Sequence, residues 1–202
     1  MKFVFLHGLG QTAHDWQAVI HQSSLFDVDC PELFSFAEND FTYSGILSGL
    51  ERFYANASEP FVLCGLSLGA LLALDYTIRH PEQISSLILV GAQYKVPTRL
   101  IDFQNLIFRC MPENAFTDMG LSKHDTIKLS HSMRMLDFSP KLSKIHCPVS
   151  VICGKKDRAN LKAAKQLHAL LPQSHLHIIP NAGHEVNKDA PKALAALIKN
   201  CI

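Results

Sequence analysis

Short, almost uninterrupted apolar runs recur along the chain between stretches of helical periodicity, and this alternation constrains the fold more than any other feature. The runs span 2–6, 26–30, 61–64, 86–90, 149–153 and 175–179. Strands buried on both faces read this way, and their alternation with helices predicts a mostly parallel six-stranded sheet covered by helices. Between the runs, Ile46, Leu50, Phe53 and Tyr54 fall at i, i+4, i+7 and i+8, predicting a helix with one apolar stripe. Residues 68–78 predict a largely buried helix that stops before Pro81. Leu161, Ala164, Leu167 and Leu171 predict another, and Pro191 opens a last helix in whose first turn proline is tolerated. At 202 residues and 48% hydrophobic, the chain can bury one sizeable core and is too apolar to stay disordered.

Residues 93–140 interrupt the pattern, being too many for a single crossover between two strands. Leu100, Phe103, Ile107, Phe108 and Met111 share a helical face, and Ser122 with Asp125 resembles a capping box that starts a second helix. The expectation is one domain over 1–202 with a helical lid inserted at 93–140. Its apolar side chains, including Phe116, Met119, Met133, Met135 and Phe138, are expected partly to pack on the sheet and partly to line a small pocket. Arg99, Arg109 and Arg134 are the cations that the lid can offer to a charged acyl group.

The strongest chemical signal is Gly65-Leu66-Ser67-Leu68-Gly69, lying between the run 61–64 and the helix that follows. A serine on a sharp strand-to-helix turn presents its hydroxyl, and the helix behind it aims backbone N–H groups at the site. Taken alone, five residues of this kind also suit a plain glycine-rich turn. A hydroxyl needs a base, and His184 in Asn181-Ala182-Gly183-His184-Glu185 follows the last run, at the same sheet edge as Ser67. Asp157, in the turn after 149–153, is placed to accept the Nδ1 proton of that imidazole. By itself Asp157 reads as a solvated turn charge. The order Ser67, Asp157, His184, each just past a separate strand, lifts all three together. In His7-Gly8-Leu9-Gly10, Leu9 is the candidate partner of Leu68 as a backbone oxyanion donor, and His7 reads as structural.

With these residues the chain resembles the α/β-hydrolase fold superfamily over almost its whole length. The resemblance rests on HGLG at 7–10, GLSLG at 65–69, the Pro-strand-Gly-x-x-Asp segment at 148–157 and NAGHE at 181–185. It implies a Ser-Asp-His triad and a lid after the sixth of eight strands. The usual first two strands are missing, because His7-Gly8 arrives almost at once, and Pro31-Glu32-Leu33-Phe34 replaces a common Gly-His-Gly turn.

The expected activity is ester or related acyl hydrolysis of a small, mainly apolar substrate, with no cofactor and no metal. Alternatives on the same fold are a cofactor-free C–C lyase and a non-catalytic ligand receptor. A different class enters through Gly8-Leu9-Gly10-Gln11-Thr12-Ala13, which fits a dinucleotide fingerprint with Asp29 as ribose acid, but it leaves GLSLG, Asp157 and NAGHE unexplained. His175 and His177 alternate on one strand without a third ligand nearby in sequence, so they read as strand histidines. A formal charge of +1, with no stretch concentrating Lys and Arg enough to suggest a nucleic-acid face, predicts no nucleic-acid partner. No run reaches the roughly 18 apolar residues of a membrane span, and no signal peptide is seen. Six scattered cysteines predict reduced thiols and a cytoplasmic protein.

Overall fold

The computed structural model describes residues 1–37, 40–117 and 120–201. Six strands, β1 (Phe3–Leu6), β2 (Val28–Asp29), β3 (Phe61–Leu66), β4 (Ile84–Val90), β5 (Val149–Gly154) and β6 (Ser174–Ile179), form one sheet in the order β2-β1-β3-β4-β5-β6. All adjacent pairs are parallel. The chain steps outward from β1 to β2, then returns to β3 on the other side of β1. That reversal opens a crevice at the carboxyl ends of β1 and β3, the place where open α/β sheets bind ligands.

The helices are α1 (Gln17–Ser23), α2 (Tyr43–Tyr54), α3 (Leu68–Arg79), α4 (Thr98–Cys110), α5 (Asn114–Thr117), α6 (Lys123–Ser132), α7 (Leu161–Leu170), α8 (Val186–Asp189) and α9 (Pro191–Lys199). The two-residue period of the strands divides their side chains between two cores. Phe3, Phe5, Val62, Cys64, Ile88, Val90 and Ile152 pack with Trp16 and Val19 and with Leu194 and Ile198 of α9. Val4, Leu6, Leu63, Leu87, Leu89 and Val151 pack with α2, α3 and α7 on the other side. Every residue of α3 from Leu68 to Ile78 is buried, so this helix is held by packing on all sides.

Three expectations change. The run 26–30 yields a strand of two residues, because β2 is an edge strand bonded only to β1, and Phe26 before it is fully exposed. On α2, Ile46, Leu50 and Tyr54 are buried but Phe53 is 59% exposed, lying beside the stripe rather than in it. On α4, Phe103 and Ile107 face outward together with Leu106, while Ile101, Asn105 and Phe108 turn inward. That helix is apolar on more than one side, so spacing alone could not choose its buried face. The side chain of Leu100 and residue Met119 lie outside the described parts.

The segment 93–140 leaves β4 and returns through a short clasp. Lys95 and Asp137 form an isolated antiparallel bridge, with Val96 N–H donating to Leu136 O (2.9 Å) and Phe138 N–H to Tyr94 O (2.8 Å). Ser122 caps α6 as expected, its Oγ accepting from Asp125 N–H. Val96, Ile101, Leu121, Leu129, Met133 and Phe138 join the sheet's own core, so these helices bury part of their apolar surface against the main body. The six cysteines are unpaired. Among the described residues no helix is long and apolar enough to cross a membrane, and no group of three or more His, Cys, Asp or Glu could hold a metal ion.

Candidate active site

Ser67 stands between β3 and α3 with φ 55° and ψ −111°, a conformation side chains rarely adopt. Its neighbours explain how the turn closes. A Cβ at Gly65 would lie 2.2 Å from Gly69 O, and one at Gly69 would lie 2.1 Å from Leu6 O, so both positions admit only glycine without backbone movement. Ser67 N–H donates to Val90 O (3.0 Å), tying the turn to the end of β4. Leu68 is the first residue of α3, where the helix itself supplies no acceptor for the N–H.

Asp157 and His184 meet although 27 residues separate them. His184 Nδ1 donates to Asp157 Oδ2 at 2.7 Å. The Asp157 carboxylate is buried, and it also accepts from the amide nitrogen of Asn160 at 2.9 and 2.8 Å. Burial works against the carboxylate charge, yet the bonds from His184 and Asn160 outweigh it and hold the carboxyl below its usual value. Gln93 Nε2 in turn donates to Asn160 Oδ1 at 2.7 Å, which fixes which end of that amide faces Asp157. Neither Asn160 nor Gln93 was singled out in the sequence. An Asn three residues after the acid is the only local sign, and it also suits a helix start.

The first-strand loop is built around two buried polar side chains. His7 Nε2 accepts from Leu33 N–H (3.0 Å), so the ring proton sits on Nδ1 and is donated to Gly8 O (2.9 Å). Gln11 Oε1 accepts from Gly8 N–H (3.2 Å), and Gln11 Nε2 donates to Glu185 Oε1 (2.9 Å) and Asn187 Oδ1 (3.2 Å). The loop carrying Leu9 is therefore bonded to the loop carrying His184. Gln11 and Asn187 were not anticipated from the sequence.

Burial holds the His7 imidazole below its usual value, against the opposing pull of the Gly8 bond and the Glu32 and Asp15 charges. An unfolded His7 takes up a proton before the folded one does. The stability it contributes is thus complete above about 6.5, the ordinary histidine value, and falls as the pH drops below it. His7→Gln should give a melting temperature that declines less between pH 7 and pH 5 than that of the unaltered protein. Parallel melting curves over that range would show that His7 titrates alike folded and unfolded.

A cavity of about 300 Å³ joins these parts, with Leu9, Ser67, Leu68, Asp157 and His184 in its wall. The His184 ring lies over Gly91, at the end of β4. The apolar remainder comes from Leu71, Val96, Pro97, Ile101 and Met133, and the polar remainder from Gln93, Gln104 and Asn160. Among the described residues, Met133 alone of the expected lid residues lines it; Phe116 and Phe138 are buried in packing, and Phe103, Ile107 and Met135 face outward. Arg99 and Arg109 are exposed and Arg134 is paired with Asp102 (2.8 Å), and none of the three reaches the cavity. No hydrogen bond joins Ser67 to His184 among the described residues; such bonds are often long outside a substrate complex. A second cleft, about 390 Å³, lies at the opposite strand ends near Met1, Lys2 and Pro60 and contains no histidine.

The dinucleotide reading does not fit this geometry. Asp29 accepts from Tyr54 Oη (2.8 Å) and pairs with Lys2 (3.2 Å), and the strand order is not that of a dinucleotide fold.

The sequence matches the model of the alpha/beta hydrolase family over residues 3–197. It is 22% identical to a Bacillus subtilis protein named as a 2-succinyl-6-hydroxy-2,4-cyclohexadiene-1-carboxylate synthase, covering 96% of this chain and 88% of that one. It is 25% identical to an Escherichia coli protein named as a carbamate hydrolase, covering 98% and 89%. Among solved structures, an esterase from Exiguobacterium antarcticum superposes with a TM-score of 0.85 at 18% identity, covering 99% of this chain and 91% of that one.

Proposed function

The chain belongs to the alpha/beta hydrolase family, and from that premise we propose that it is a serine hydrolase cleaving an ester or related acyl bond of a small, mainly apolar substrate. The observation that carries this reading is the placement of Ser67, on its strained turn, in the same cavity wall as the hydrogen-bonded His184–Asp157 pair. Ser67 Oγ attacks the acyl carbon while His184 Nε2 takes the hydroxyl proton. The N–H groups of Leu68 and Leu9 receive the oxyanion. His184 then returns the proton to the leaving group, and water releases the acid from Ser67 by the same route in reverse. Asp157, ionised and clamped by Asn160, holds the imidazole in the tautomer that this needs. In this reading 93–140 is the lid, and Val96, Pro97, Ile101 and Met133 form its contribution to the acyl pocket.

A cavity of about 300 Å³ lies at the lower end of small-molecule pockets, which run from about 300 to 1,000 Å³. Each methylene buried there adds about 0.8 kcal/mol, roughly fourfold in affinity. Across p-nitrophenyl esters from acetate to dodecanoate, kcat/KM should rise over the first few acyl carbons and then fall. A succinate monoester should be poor, since no cation lines the cavity. A profile still rising at the longest ester would overturn the small pocket, and loss of all ester turnover would overturn the hydrolase.

One relative is named as a synthase, which keeps a second reading alive: Ser67 and His184 as proton shuttles for C–C bond cleavage without an acyl-enzyme. A burst of p-nitrophenol with covalent acyl on Ser67 separates the two, because the shuttle forms no such adduct.

A further inference from the structure

Around cavity-lining Asp157, Ala159 and Asn160 the chain becomes strongly basic. Residues 155–165 carry Lys155, Lys156, Arg158, Lys162 and Lys165 against one acid, Asp157, which is buried and already bonded to His184 and Asn160. All five cations are exposed, and among the described residues none of them enters an ion pair. Elsewhere Lys2, Arg79, Lys95, Lys128, Arg134 and Lys188 each have a carboxylate partner, and the cations without one among the described residues, such as Arg99, Lys144 and Lys192, are spread along the chain rather than gathered. With a formal charge of only +1 over the whole chain, the excess is local.

Arg158, Lys162 and Lys165 share a shallow, nearly flat groove on the exposed face of α7 with Leu161, Gln166 and Ala169, so the whole lining comes from residues 158–169. The groove and the cavity are joined along the chain at the start of α7. Ala159 and Asn160 belong to the cavity wall, and their chain neighbours Arg158 and Leu161 belong to the groove. Tyr94, one residue beyond cavity-lining Gln93, donates its hydroxyl to Gln166 of α7 (3.4 Å).

An acyl substrate must straddle this boundary, because Ser67 has to reach the carbon between the acyl part and the leaving group. We propose that the α7 groove is a leaving-group subsite and that the substrate is an acyl ester or thioester of a phosphate-bearing alcohol or thiol. This rests on the serine-hydrolase reading and narrows it, so that only the acyl part of the substrate is small and apolar. Arg158 offers a planar fork to phosphate oxygens, and the two lysines add point charges. On cleavage the bond from acyl carbon to oxygen or sulfur breaks, and that heteroatom takes its proton from His184. The acyl group leaves Ser67 as a carboxylic acid after attack by water. Exposed pairs are individually weak, but three acting on one anion give about tenfold in affinity, lost as salt shortens the reach of charge.

The test compares S-butyryl-N-acetylcysteamine with butyryl-coenzyme A, which share the acyl thioester and differ in the phosphates. At low salt butyryl-coenzyme A should have a kcat/KM about tenfold higher, expressed in KM, and high salt should shrink the advantage. Arg158→Glu/Lys162→Glu/Lys165→Glu should bring the ratio of the two substrates close to one. Lys192→Glu/Lys199→Glu on α9, which also makes the protein more acidic, should leave the ratio unchanged. Coenzyme A binding to Ser67→Ala, measured by calorimetry with and without the α7 reversals, reads the groove without turnover. Equal kcat/KM for both thioesters, or a ratio untouched by the α7 reversals, overturns the subsite while the hydrolase stands. Binding that depends on α7 in a protein with no turnover of any acyl substrate keeps the anion groove and removes the hydrolase.

Discussion

Ser67→Ala should reduce ester turnover to background, a loss on the order of 10⁴-fold or more, and should abolish labelling by a fluorophosphonate probe. The expectation follows from the turn between β3 and α3, which places one hydroxyl in the cavity wall beside His184. Ser67→Gly should do the same to activity while raising stability. The backbone at φ 55° costs a side-chain residue about 1–3 kcal/mol, and glycine escapes that cost. Measured together, turnover, labelling and melting temperature separate chemistry from folding. Labelling that survives in a folded Ser67→Ala protein would mean another nucleophile reacts.

The next largest effect should come from Asp157→Asn, about 10⁴-fold in kcat, because an amide does not hold His184 in the tautomer that the reaction needs. Two donors already aim at this side chain: Asn160 Nδ2 toward both oxygens and His184 Nδ1 toward one. An amide at 157 has only one oxygen. Its NH₂ must face either Asn160 or His184, so either a donor is left opposite a donor or the imidazole flips to the wrong tautomer. The stability link has its own sign. The folded carboxyl sits below its usual value, so the ionised form stabilises the fold above about pH 3.9 and that contribution is lost as the pH falls through the folded value. Near-normal kcat in Asp157→Asn would show that a different group orients His184.

The strands were readable because a strand buried on both faces has little choice but a continuous apolar run. β3 and β5 are buried at all six positions each. β2 was overextended for the complementary reason: it is bonded on one side only, and Phe26 packs on nothing. The residues proposed for the chemistry were legible because backbone geometry forces their surroundings, as at Gly65 and Gly69. The residues that clamp them were not. Asn160, Gln93, Gln11 and Asn187 are ordinary amides whose significance lies entirely in partners reached through the fold. The outward turn of Phe103 and Ile107 was equally hidden, since α4 offers apolar residues on several sides and only Ile101 and its companions meet the core.

The bond between Gln11 and Asn187 spans 176 positions of sequence. In time as well as in space this is a long reach. During synthesis the loop that presents Leu9 emerges early, and the side chain that steadies it follows about 175 residues later. The same interval separates Trp16 and Val19 from Leu194 and Ile198, which share their core. Contacts so remote in sequence form late and slowly, after local helices and neighbouring strands. The proposed reactive centre therefore depends on pairings that form after the local ones. Until residues 184–198 have been made and docked, a nascent chain carries the Ser67 turn without its proposed base or an anchored first loop.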